Sequence, residues 1–459
     1  MTNPAFDELL PVARRLQIDE YSTEHRIELT LDRIARLNPS VNALQEVLTE
    51  QSLKEARRVD RLIQSGRNPG PLAGVPIAVK EIIDTTPAVC SAGMNFLSDY
   101  RPEKDAPVVR RLRQAGAIII GMATSDPGAF GVRTIATHHP QAPDVTVGGS
   151  SGGSGAAIAA DFCVSALGTD TGGSIRIPAA CCAVSGFKPT RGRVPTQGVR
   201  PLVWSLDHVG PMARSVADLA DVQQTLDSRY RNTRRGDPTD FVVGYDPHYY
   251  DDADNAVTQG MEAALKACRE IGTEVRQVTL PDPDEVLDIH LIIFCAESAA
   301  YYHTNFPNHR NRYPETAKVL IDLAEEHTGY QYVQAMRERA SITRSVESVF
   351  DTVDIVIAPT LPILPPDRTV EEVTVGGRLM EFTVAMVRYT CLFDHTGNPV
   401  VAMPSAVFGK GIASSIQIIG RTNQDADVLS FSEKIEAALK LDITYEISQI
   451  GTSAFPANE

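Results

Sequence analysis

The chain has 459 residues, 43% hydrophobic and 22% charged, a composition ordinary for a folded globular protein and enough for one large α/β domain. Its net charge of −15 excludes a broad electrostatic footprint on nucleic acid, and it contains no apolar run long enough to span a membrane. The segment from Met1 to Glu20 lacks the basic, apolar and small-residue parts of a secretory leader, and the seven cysteines form no CxxC pair. These features predict a soluble, cytoplasmic protein, monomer or homodimer, with buried thiols and neither disulfide framework nor zinc site.

In chain order, Ser22 is positioned to cap a helix carrying Ile27, Leu29, Leu31, Ile34 and Leu37, which Asn38-Pro39 is expected to end. Leu53, Ala56, Val59, Leu62 and Ile63 recur at helical spacing in a second helix that stops near Gly66. From Gly74 short apolar runs begin to alternate with helical stretches, starting at Val75 to Val79 and Ile118 to Ile120. A helix-rich stretch follows from about Asn255 to Val353, then strand-like Asp354 to Ala358 and Pro399 to Met403, and a closing helix from about Asp425 to Leu439. The alternation predicts an α/β fold with a central mixed, mostly parallel sheet covered on both faces by helices. No repeat or flexible linker divides it. A single domain over 1–459 is expected, with N-terminal helices in 1–70, a catalytic core in 71–225, a helix-rich variable region in 226–353 and C-terminal strands and helix in 354–459.

The most unusual stretch is Gly148-Gly149-Ser150-Ser151-Gly152-Gly153-Ser154-Gly155. A flexible linker has this composition, but Val145, Thr146 and Val147 before it read as a strand end, and Ala156 to Ala160 after it as a helix. A phosphate-binding loop fails because neither nucleotide fingerprint is present. Gly148 to Gly152 formally matches the GxSxG elbow of a serine hydrolase, for which Asp354 and His395 fall in the required order. That reading stays open as the alternative chemistry.

Two further segments change the weighting. Upstream stands Gly74-Val75-Pro76-Ile77-Ala78-Val79-Lys80-Glu81, an apolar run that ends on a lysine. Downstream comes a second glycine-flanked serine, Gly168-Thr169-Asp170-Thr171-Gly172-Gly173-Ser174-Ile175-Arg176-Ile177-Pro178-Ala179. With Gly186-Phe187-Lys188-Pro189-Thr190 and Ser205-Leu206-Asp207-His208-Val209-Gly210-Pro211, the order and spacing closely resemble the amidase signature family, over most of the chain from the helix at Ser22 onwards.

The resemblance implies hydrolysis of a C–N bond through an acyl-enzyme. Ser174 is the implied nucleophile, Ser150 the proton relay in a cis-peptide conformation, and Lys80 the ultimate base, which must be neutral and so must be buried. The backbone N–H groups of Thr171, Gly172, Gly173 and Ser174 are the implied oxyanion hole, while Asp170 and Arg176, and more weakly Ser151, are expected to hold the loops. Met94, Gly128 and Phe130, with the aromatic residues Phe96, Tyr301, Tyr302 and Phe306, are candidates for the substrate wall. No cofactor and no metal are needed. The implied substrate is a small amide, aryl amide, carbamate or urea-like compound; the alternative is a partner-dependent amidotransferase or non-catalytic subunit of the same fold. The chain departs from the family at Thr137-His138-His139-Pro140-Gln141, near the pocket wall, and at Cys182-Ala183, where Cys-Gly is more usual.

Overall fold

The structure is a computed structural model that describes residues 22–230 and 237–443, together with residues 10, 11, 13 and 445. Its strands are β1 (Leu44–Val47), β2 (Pro76–Lys80), β3 (Ile118–Ala123), β4 (Ser165–Asp170), β5 (Ser185–Lys188), β6 (His208–Ala213), β7 (Val242–Tyr245), β8 (Glu274–Gln277), β9 (Ile355–Pro359), β10 (Glu372–Val375), β11 (Arg378–Glu381), β12 (Val400–Gly409) and β13 (Ile412–Gly420). Eleven of them form one sheet in the order β1-β3-β2-β4-β6-β5-β12-β13-β9-β7-β8, and β10 with β11 makes a separate hairpin. The sheet is mixed. Its parallel pairs fall into two blocks, β3-β2-β4 and β9-β7-β8, and the strands between and beside them pair antiparallel.

Every residue of β2, β3 and β4 is buried, as expected for strands covered on both faces. The alternation of side chains along these strands feeds two separate cores. Ile77, Val79, Ile119, Met122 and Leu167 pack with Val108, Val109 and Leu112 of the helix Pro107–Gln114 and with Ile289 and Ile293 of the helix Pro283–Asn305. Ala78, Ile118, Ile120, Ala123 and Ala166 pack on the opposite face with Ile27 and Ile34 of the helix Thr23–Val41 and with the helix Gly152–Ala159.

Two local expectations are corrected. The helix capped by Ser22 does not stop at Asn38-Pro39 but runs to Val41, where Asn42 takes the left-handed conformation and donates its N–H to Asn38 O at 2.6 Å. Pro39 removes one helical hydrogen bond near the end of the helix, but the Asn38 side chain bonds both the N–H and the C=O of Leu44, tying that end to β1. Val145 to Val147 is not a sheet strand. It is an extended segment held by a single bridge between Val145 and Asp367 and by the Thr146 N–H bonding Pro366 O at 3.0 Å. The closing helix spans Asp425–Leu439, with Val428, Leu429 and Ile435 buried as its periodicity requires.

Candidate active site

Strands β2 and β4 are parallel neighbours with Val79 opposite Leu167, so both carboxyl ends open on the same edge of the sheet, the usual place for a site in an open α/β sheet. Lys80 is the last residue of β2, and the turn carrying Ser174 follows Asp170, the last residue of β4. Ser150 approaches the same edge from the loop that opens the helix Gly152–Ala159, and its peptide bond with Gly149 is cis. A backbone contact joins the two serine loops, the Ser151 N–H donating to Ser174 O at 3.3 Å, and the Asp126 N–H, from the segment after β3, donates to Ser150 O at 3.0 Å.

Lys80 Nζ donates to Ser150 Oγ at 2.7 Å and to Thr169 Oγ1 at 2.8 Å. Lys80 and Ser150 are completely buried, whereas Ser174 retains 6% exposure. Burial drives the Lys80 pKa down to about 7, against the opposing fields of Asp126, Asp170, Asp207 and Glu81. Desolvation wins here because none of the four carboxylates forms a contact ion pair with the ammonium; its two near neighbours are hydroxyls. The arrangement leaves a lysine that is neutral in a large fraction of molecules near neutral pH, joined to a hydroxyl one step from a partly exposed serine loop.

The turn around Ser174 is held by a buried charge network. Arg176 donates to both oxygens of Asp170 at 3.0 Å, to Asp394 Oδ2 at 2.6 Å, to Gln417 Oε1 at 2.7 Å and to Thr390 O at 2.8 Å. Burial pushes the Asp170 carboxyl up, but the Arg176 charge and its hydrogen bonds outweigh it and hold the group well below the carboxylate range. Asp170 Oδ1 also accepts the Gly173 N–H at 2.6 Å. That bond draws the Gly173 N–H away from the oxyanion role expected of it, leaving Thr171, Gly172 and Ser174 of the four groups. Gly173 sits at φ 129°, and a Cβ there would lie 2.3 Å from Thr390 Oγ1, so only glycine fits the turn. Thr171 Oγ1 donates to Asp207 Oδ1 at 2.7 Å; burial raises the Asp207 carboxyl to about 6. Ser151 Oγ donates to Thr169 O and accepts the Thr169 N–H, both at 3.2 Å, which clamps the serine loop to β4.

Met94, Gly128 and Phe130 do come together. A Cβ on Gly128 would lie 2.2 Å from Met94 Cε, 2.8 Å from Tyr302 Oη and 2.9 Å from Phe130 Cδ2. Phe130 packs edge-on to Tyr302 with ring centroids 5.0 Å apart, and Met94, Phe130 and Tyr302 are all buried, so they form a packed wall rather than an open pocket. The departure at His138-His139 lies in the scaffold: His139 Nε2 is 3.1 Å from Cys181 O, its Nδ1 accepts the N–H groups of Gln141 and Ala142, and His138 meets Arg368.

The elbow chemistry is not assembled. His395 Nε2 lies 3.1 Å from His290 Nδ1, and the Asp354 carboxylate accepts the Val242 N–H at 2.9 Å, while Ser150 Oγ is bonded by Lys80. Sequence reasoning expected Asp170 beside Arg176 but missed Thr169, the second hydrogen-bond partner of Lys80, and the distant partners of Arg176. Asp394 and Gln417 stand 218 and 241 positions from Arg176, beyond any local signal. Lys188, fully buried with its pKa driven to about 7 mainly by burial, donates to Asn398 O at 2.7 Å and serves the scaffold.

All seven cysteines are free and buried. Among the described residues no cluster of three His, Cys, Asp or Glu side chains is placed to hold a metal ion, and no helix is long and apolar enough to cross a membrane.

Comparisons with known proteins agree with this architecture. The amidase family model matches residues 26–429. The chain is 30% identical to a glutamyl-tRNA(Gln) amidotransferase subunit of Natranaerobius thermophilus, over 94% of this chain and 96% of that protein. It is 33% identical to the putative amidase AmiD of Mycobacterium tuberculosis, over 90% of each. The crystal structure of an amidase superposes with a TM-score of 0.86 at 28% identity, covering 93% of this chain and 98% of the other. With a family match spanning nearly the whole length and a fold shared to that degree, the chain belongs to the amidase family, the amidase signature enzymes, which are hydrolases acting on carbon–nitrogen bonds.

Proposed function

We propose that the chain hydrolyses a small amide, aryl amide, carbamate or urea-like compound through an acyl-enzyme on Ser174. The observation that carries this reading is the 2.7 Å hydrogen bond between Lys80 and Ser150 at full burial, beside the serine turn that follows β4. Ser174 Oγ attacks the carbonyl carbon, and its proton passes to Ser150 as the Ser150 proton moves to neutral Lys80. The N–H groups of Thr171, Gly172 and Ser174 stabilise the developing oxyanion. Collapse of the tetrahedral intermediate breaks the C–N bond; Ser150 hands its proton to the leaving nitrogen and recovers one from Lys80. Water then attacks the acyl-enzyme by the same relay in reverse. Asp170, Arg176 and Ser151 hold the loops, and Met94, Gly128 and Phe130 wall the substrate side.

A panel of amides, anilides, carbamates and ureas, offered to the purified wild type and to Lys80→Ala, Ser150→Ala and Ser174→Ala, tests the reading. One class is turned over and all three variants collapse, and a fluorophosphonate labels Ser174. Labelling of Ser150 instead, or full activity in Ser174→Ala, overturns it. The similarity to an amidotransferase component supports a second reading, delivery of ammonia within a complex. Turnover of free amides by the isolated chain decides between the two.

A further inference from the structure

Beside the serine turn lies a pair of histidines that the triad does not use. His290 comes from the helix Pro283–Asn305 and His395 from the helix Leu392–Thr396, and both are buried, His290 keeping 7% exposure. Their rings meet nearly at right angles, with His290 Nδ1 3.1 Å from His395 Nε2. The other nitrogen of His395, Nδ1, is buried without a hydrogen-bond partner among the described residues. The other nitrogen of His290, Nε2, lies against the oxyanion loop: a Cβ on Gly172 would be only 2.8 Å from it. Glycine at 172 is what allows the imidazole to approach.

The orphaned nitrogen assigns the protons. A buried N–H without a partner is rarer and costlier than a bare acceptor. The His395 proton therefore sits on Nε2 and is donated to His290 Nδ1, which places the His290 proton on Nε2, facing the loop. Burial keeps both imidazoles neutral, pushing His290 down to about 4 and His395 well below its ordinary range, helped by Arg339 nearby. A neutral imidazole is the form that donates from one nitrogen while the other accepts.

We propose that His290, held in the Nε2–H tautomer by His395, is an additional oxyanion donor: it donates to the scissile carbonyl oxygen beside the Gly172 N–H, in place of the Gly173 N–H that Asp170 has taken. The proposal rests on the Ser174 acyl-enzyme reading. No bond to carbon forms at His290, and the pair carries no net charge through the cycle. The role is distinct from that of a general base, because the hydrogen bonds of Lys80 run to Ser150 and Thr169 and not to either imidazole.

The test compares wild type, Ser174→Ala, His290→Ala, His290→Gln, His395→Leu and His395→Gln on the best amide of the panel. It also measures inhibition by a trifluoromethyl ketone of the same acyl group, which forms an oxyanion on the serine. In His290→Ala, kcat falls about a hundredfold with KM unchanged, as for loss of one oxyanion donor, and ketone affinity falls in parallel. His290→Gln recovers part of the loss because its amide also donates. His395→Leu loses activity by freeing the tautomer, and His395→Gln restores much of it. Unchanged kcat in folded His290→Ala, a rise in KM alone, or ketone affinity that ignores the substitution would overturn the proposal. Should His290→Ala fail to fold, the two His395 variants carry the same test. If Ser174→Ala keeps its activity, the acyl-enzyme reading itself fails; if it is inactive while both His290 variants match wild type, only the histidine proposal falls.

Discussion

Lys80 and Ser150 meet at 2.7 Å with neither side chain reaching solvent, 70 positions apart in the chain. The contact is made because β2 ends at the lysine and the loop before the helix Gly152–Ala159 returns to the same sheet edge. It joins a base whose charge is destabilised by burial to a hydroxyl that can pass a proton on.

Removing that base should be severe and poorly repaired. Lys80→Ala is expected to lower kcat by about 10²–10⁴, the usual worth of a positioned acid–base group. Lys80→Arg should not rescue it, since a guanidinium stays charged at every working pH. Steady-state kinetics on variants shown to be folded by circular dichroism check both; activity in Lys80→Arg near wild type would exclude lysine as the base.

The lysine also predicts a pH dependence. With Lys80 titrating at about 7 in the folded protein, kcat/KM should rise with pH through about 7 and level off above it. The linkage to stability follows from the sign of the shift. The folded pKa lies below the unfolded one, so between them the unfolded chain binds the extra proton and stability rises with pH. Below pH 7 the buried charge exacts its full cost. Lys80→Met, similar in shape and uncharged, should therefore be more stable than wild type at pH 6, with the gap closing as pH rises from 7 towards 10. Denaturant melts of the two proteins at pH 6 and pH 9 measure it; a gap that does not change with pH would contradict the burial of a titrating lysine.

Arg176 should matter for the fold more than for any substrate contact. It is fully buried and bonded to Asp170, Asp394, Gln417 and Thr390. Arg176→Ala leaves two buried carboxyl groups without their partner and is expected to cost about 3–5 kcal/mol, as for other broken buried pairs. Arg176→Lys should recover only part of this, because an ammonium cannot serve the fork of acceptors. Urea unfolding gives the values, and a loss below about 1 kcal/mol would rank the network with surface ion pairs.

Ala183 offers a stabilising change. It follows the helix Arg176–Cys181 and its C-cap Cys182, at φ 52°, a left-handed conformation that a Cβ disfavours by about 1–2 kcal/mol. Ala183→Gly, which restores the Cys-Gly pair common in the family, relieves that strain but adds backbone entropy to the unfolded chain. The net expectation is a gain of up to about 1 kcal/mol with unchanged kcat, read from the thermal midpoint. A lower midpoint would mean that the alanine methyl packs better than its backbone strains.

How much of this was legible in sequence differs by residue. The helix Asp425–Leu439 and the ends of β2 could be placed because apolar periodicity and strand length are local properties. Lys80, Ser150 and Ser174 stood out because glycine-flanked serines and a lysine closing an apolar strand are unusual in composition and order. Pro39 misled because the local cost of a proline can be offset by tertiary contacts, and here the bonds from Asn38 to Leu44 hold the last turn.

The sequence by itself determined the α/β class and, through the order of its glycine-rich motifs, the family, and it nominated Lys80, Ser150 and Ser174 for the chemistry we propose, because those readings depend on residue type, local periodicity and motif order along the chain. Only the tertiary structure decided the rest: that Lys80 is dry enough to lose its proton near pH 7, that Gly173 gives its N–H to Asp170, that Arg176 is completed by Asp394 and Gln417, and that His290 leans on Gly172. Each of these depends on desolvation or on contacts between segments far apart in the chain, and neither quantity exists until the sheet closes.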